Sequence, residues 1–108
     1  MLSDAASERS AFMRPWDGEP RSIAYGILDD ETYDWRSLVE GMLETDGGPV
    51  IVSEERLREA HRRASAVATR APVCTTGSAG LAGLLELRAH DEVGEAEEVA
   101  VLFTGARR

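Results

Sequence analysis

Thr104 and Gly105 follow directly on the apolar run Val99-Ala100-Val101-Leu102-Phe103. A strand that stops on a hydroxyl and then a glycine offers a donor, space and an adjustable backbone beyond its carboxyl end. That is where ligands of open α/β sheets collect. The same pair also closes strands for turn reasons alone. Thr76-Gly77-Ser78-Ala79-Gly80 comes near the G-x-S-x-G turn of a nucleophilic serine, but its first position is threonine and no strong strand precedes it. Gly77, Gly80 and Gly83 also miss the dinucleotide spacing G-x-G-x-x-G. What remains is small side chains and permissive backbone at a helix start, suited to close packing or to close approach of a ligand.

The other reactive side chains assemble no centre. His61 lies in an Arg- and Glu-rich stretch and reads as part of a solvated face, whereas His90 stands near a helix end as a partner for its dipole. Neither belongs to a metal-ligand spacing. Asp29, Asp30, Glu31 and Asp34 lack the alternation and the glycine of a calcium loop and read as acids at a helix start. Cys74 has no neighbour in sequence that would activate it, so a buried thiol is expected. No catalytic residue and no metal ligand is assigned. Lysine is missing altogether, and all 12 basic residues are arginine.

Helices and strands alternate in the pattern around these residues. A short helix with Ser3 or Asp4 as cap and Ala5 to Met13 as body precedes the breaker stretch "RPWDGEP". Trp35, Leu38, Val39, Met42 and Leu43 make one apolar stripe, so a helix is expected from Tyr33 to Glu44, capped by Asp30 or Thr32. Gly47-Gly48-Pro49 ends it, and Val50-Ile51-Val52 reads as a buried strand. Ser53 then caps a helix to about Arg70, with Leu57, Ala60, Ala64, Val67 and Ala68 on one face. Val73-Cys74 is a brief extended piece, Thr75 to Ser78 a turn, Ala79 to His90 a helix, and Val99 to Phe103 the last strand. This order implies an α/β fold with mostly parallel strands and flanking helices. Two or three short strands do not make a self-sufficient sheet, so neighbours from elsewhere are expected.

A chain of 108 residues makes one domain at most, and 43% apolar residues suffice for a modest core. The net charge of −8 disfavours nucleic acid and anionic membranes as partners. No apolar run nears the roughly 20 residues of a membrane span. The opening MLSDAASERS has neither the basic start nor the apolar stretch of a secretory leader, and Cys74 has no partner for a disulfide. A cytoplasmic protein is the expectation.

Three segments taken in order, "SIAYGILDDETYDW", "PVIVSEERLREAHRRA" with "VCTTGSAGLAGLLEL", and "VAVLFTG", resemble the C-terminal part of threonine synthase-like enzymes. These are fold-type II pyridoxal-phosphate enzymes, kin to threonine dehydratases and cysteine synthases. The resemblance runs from about Arg14 to Gly105. It implies part of a three-layer sandwich, with residues 1–21 as an N-terminal helix and loop and residues 22–108 as the C-terminal portion of the large domain. It also implies that Thr104, with Gly105 behind it, is the cofactor-binding position whose hydroxyl bonds the pyridine nitrogen. A neutral hydroxyl partner leaves the ring less electron-withdrawing, which suits elimination or replacement at the β or γ carbon of an amino-acid substrate.

Enzymes of this kind hold the cofactor as a Schiff base on a lysine and cradle its phosphate in a glycine-rich loop, both in the N-terminal half. This chain has neither. The resemblance therefore implies a C-terminal fragment, inactive alone, that works with a missing N-terminal half or a homodimer partner. The alternative reading is a free-standing acidic α/β domain that binds a partner protein, with Thr104 as a turn residue.

Overall fold

In a computed structural model the residues described are 15–30, 32–68 and 70–106. The expected N-terminal helix, with Ser3, Asp4 and Ala5 to Met13, lies outside them. Among these residues, three α-helices and one 3-10 turn, Tyr25–Ile27, are the regular elements. We label the helices α1 (Trp35–Thr45), α2 (Glu54–Val67) and α3 (Ala79–Ala89). The described residues divide between two compact units, one with Asp29–Pro49 and the stretch up to Pro20, the other with Arg21–Leu28 and Val50–Arg108.

The α/β sandwich expected from the sequence is not formed. Among the described residues there is no strand and no sheet; the extended backbone yields one isolated antiparallel bridge, Val73 with Ala106. The partial three-layer arrangement with parallel strands is therefore overturned. The physical reason lies in pairing: residues 50–52 and 98–104 make no backbone hydrogen bond to another described residue. β-Branched side chains favour extended backbone, but a strand exists only when its amides find a neighbour. Ile51, expected inside a strand, is 92% exposed, and Leu102 is 79% exposed.

In the first unit, α1 is built on the stripe seen in the sequence, although only Val39 is buried while Leu38 and Leu43 stay exposed. Its N-cap is Asp34 with no side-chain bond, rather than Asp30 or Thr32, although the Thr32 carbonyl accepts from the Trp35 amide at 3.3 Å. The helix closes on Asp46 in the left-handed conformation (φ 55°), which a short polar side chain tolerates.

In the second unit, α2 and α3 pack on each other. Ser53 caps α2 as expected, its Oγ accepting from the Arg56 amide at 3.1 Å, with Glu54 and Glu55 in the first turn beside the positive end of the dipole. Leu57, Ala60 and Ala64 form its buried face, but Val67 is exposed. The core joins Leu57 and Ala60 to Ala82 of α3 and to Ala24, with Ile23, Val52, Leu81 and Leu85 around them. Alanines let the two helices come close, and burying Leu57 supplies roughly 1.5–3 kcal/mol. Across the helix pair, Arg56 bonds Glu59 at 2.8 Å on its own helix and Glu86 at 3.0 Å on α3. The planar fork of an arginine suits two carboxylates at once.

Candidate functional site

The start of α3 is where the segments that carry the resemblance converge. Residues 75–78 form a turn leading into the helix, as the glycine and hydroxyl residues suggested. Two adjacent hydroxyls tie this turn to the Arg21–Leu28 segment. Thr75 Oγ1 donates to the Ile23 carbonyl at 2.5 Å, and Thr76 Oγ1 accepts from the Gly26 amide at 3.0 Å. The Ile23 amide in turn donates to Glu54 Oε2 at 3.1 Å, at the first residue of α2. A hydrogen bond to Ser22 and that amide, aided by Arg58, hold the Glu54 carboxyl below its ordinary range. Glu59 is likewise lowered, chiefly by its bond from Arg56, whose own pKa is raised by Glu86 and Glu59.

The C-terminal tail reaches the same turn from the other side. The Cys74 amide donates to the Gly105 carbonyl at 2.9 Å, beside the Val73–Ala106 bridge. Gly105 lies directly over Gly77. A Cβ on Gly77 would stand 2.5 Å from the Gly105 nitrogen and 2.6 Å from its carbonyl oxygen. A Cβ on Gly105 would collide with Cys74 Sγ. Both positions thus demand glycine for room rather than for an unusual φ, since neither has a positive φ.

Thr104, the candidate cofactor residue, is exposed one residue before this contact, and its hydroxyl makes no hydrogen bond among the described residues. Gly105 is half-buried and serves the backbone contact just described. Ser78 is fully buried, and its Oγ donates to the Thr75 carbonyl at 3.1 Å, which removes it as an exposed nucleophile. Cys74 is half-buried, its Sγ accepting from the Gly77 amide at 3.2 Å.

His61 departs from the solvated face expected for it: it is half-buried, with Nδ1 sequestered and unpartnered among the described residues. His90 is the C-cap residue of α3, and its Nδ1 lies 2.9 Å from the Glu86 carbonyl, consistent with a helix-end role. No group of three or more His, Cys, Asp or Glu able to hold a metal occurs among the described residues. No helix among them is long and apolar enough to cross a membrane.

Sequence reasoning passed over Thr75, Ser22 and Glu54 as residues that organise this site. The Thr75-Thr76 pair before a glycine is the one local signal that points there, because adjacent hydroxyls can serve two backbone partners. As a seat for pyridoxal phosphate the arrangement is incomplete. It offers an exposed hydroxyl beside a helix start, but no residue of the chain is a lysine. Compared with protein-family models, curated proteins and solved structures, the chain matches none.

Proposed function

We propose that the chain supplies the C-terminal part of a threonine synthase-like, pyridoxal-phosphate-dependent lyase and is inactive by itself. In this reading Thr104 donates its hydroxyl to the pyridine nitrogen, and Gly105 sets the hydroxyl's position by its backbone contact with Gly77. The cofactor supplies an electron sink for elimination or replacement on an amino acid. The lysine and the phosphate loop come from the portion of the enzyme that this chain does not contain.

One observation carries the reading. The segments on which the resemblance rests, around Ile23 to Gly26, Cys74 to Ser78 and Gly105, meet at one turn through side-chain and backbone bonds, with Thr104 next to the junction. An exposed hydroxyl at such a junction has no structural task of its own. A cytoplasmic setting accords with the lone Cys74.

The first test is chemical. Mixing the chain with pyridoxal phosphate should give no stoichiometric adduct that borohydride fixes; a reducible aldimine formed at one site, for which only the α-amine is available, overturns inactivity. The second test is genetic. The reading frame upstream should encode a lysine-bearing, glycine-rich portion that confers elimination or replacement activity when joined to this chain. Thr104→Val should then slow turnover by about tenfold, the loss of one hydrogen bond. An upstream region without such a portion overturns the proposal.

A further inference from the structure

Helix α3 is apolar on two sides, one packed against α2 and the other lining an open groove. Ala82, Leu81 and Leu85 belong to the core shared with α2. Gly80, Gly83, Leu84 and Leu87 lie at helical spacing on another face and line an open groove with Val50 and Val101. A helix that is hydrophobic all round is normally enclosed. Along this groove runs the tail. Val101 packs toward α3, since a Cβ on Gly80 would lie 3.7 Å from its Cγ1, while the next residue, Leu102, is 79% exposed. Residues 98–104 run without helix, turn or bend and make no backbone hydrogen bond among the described residues, although the antiparallel bridge at Ala106 is already in place. The acidic loop just before the tail completes the picture. Asp91, Glu92, Glu95, Glu97 and Glu98 fall within eight residues that hold no basic side chain. None of the five pairs with a cation among the described residues.

We infer that residues 99–104 are a docking edge for an extended segment of a second polypeptide, with alternating apolar side chains and Lys or Arg at its flank. The partner's backbone pairs with the open amides and carbonyls of the tail, its apolar side chains cover Leu102 and the groove, and its cations meet the acidic loop. Backbone pairing supplies the affinity in such strand addition, and alternate side chains supply the choice of partner. The charge sets the approach: a segment with cations is drawn to the loop, whereas a second copy of this chain, itself at −8, is repelled. The inference does not rest on the cofactor reading.

The probe is a synthetic peptide, Arg-Lys-Val-Thr-Val-Thr-Val-Lys-Arg, compared with a twin carrying Glu at the four basic positions and with a copy N-methylated on alternate amides. The basic peptide should bind at least about tenfold more tightly than its acidic twin, with the difference shrinking as salt is raised. It should slow amide exchange across residues 99–104, and the N-methylated copy should fail to do so. Leu102→Asp should weaken binding while far-ultraviolet circular dichroism of the free chain is unchanged, because that side chain is exposed. Equal binding of the two twins, or no protection at residues 99–104, overturns the inference. So does protection there without any peptide, whether in a monomer, where the chain covers its own edge, or in a dimer found by sedimentation, where a second copy does. Neither pyridoxal phosphate nor the Thr104 hydroxyl enters these readouts, so failure here leaves the proposed function standing, and the converse holds.

Discussion

At Gly105 the tail is gripped by backbone, its carbonyl on the Cys74 amide and its Cα against Gly77. A few residues earlier, from 98 to 104, the same tail has no backbone partner among the described residues and turns Leu102 to solvent. Hydrophobicity does not separate them, since the more apolar stretch is the one left without a backbone partner. What separates them is shape. Gly77 and Gly105 lack side chains where two backbones must meet, and the residues before Gly105 run along a helix face that offers side chains but no hydrogen-bonding edge. The hydrophobic effect is non-directional and brings the tail to α3, whereas only hydrogen bonds fix how it lies.

The glycine contact is the place to break this contrast most severely. Gly77→Ala should lower stability by about 3 kcal/mol, measured by urea unfolding, because a Cβ there meets fixed backbone. Gly105→Ala should also destabilise, but Cys74→Ala should restore part of the loss, since one obstacle is the Cys74 sulfur. A full rescue of Gly77→Ala by Cys74→Ala would show that the backbone approach is not what holds the tail. A smaller effect is expected at the hydroxyl latch. Thr75→Val removes the donor to the Ile23 carbonyl and should cost about 1 kcal/mol by the same measurement.

Acid should loosen the Arg21–Leu28 segment. The Glu54 carboxyl binds its proton less readily folded than unfolded, so its contribution is complete above the ordinary carboxylate range. It is lost as pH falls through the lowered folded value. The urea midpoint should therefore drop as pH is taken from about 6 to about 3, and Glu54→Gln should flatten the curve. Glu59 acts in the same direction, so some slope should persist in that variant. At the open end of the tail almost nothing should happen. Leu102→Ser should change the stability of the free chain by no more than about 0.5 kcal/mol, and a larger loss would mean that the edge is already covered.

The helices were legible because their signals are local. Ser53 followed by two acids, and the apolar spacing through Leu57, Ala60 and Ala64, depend on residues within a few turns of one another. The absence of strands was not legible, because Val50-Ile51-Val52 and Val99 to Phe103 announce extended backbone and say nothing about whether another edge lies alongside. Within the site, the small residues after Thr76 signalled a close approach, but nothing local names the other party. That Gly105 fills the space over Gly77, and that Thr75 and Thr76 reach back to Ile23 and Gly26, are facts of the folded chain.

The facing glycines also constrain how this sequence can drift. Every single substitution at either position introduces at least a Cβ into a gap that holds none, and changing both together directs two new atoms into the same space. Most contacting pairs can exchange bulk, one residue shrinking as the other grows, but here neither can become smaller. Descendants of this chain are therefore expected to keep both glycines or to abandon the contact altogether, with no intermediate stage in which a second change repairs the first.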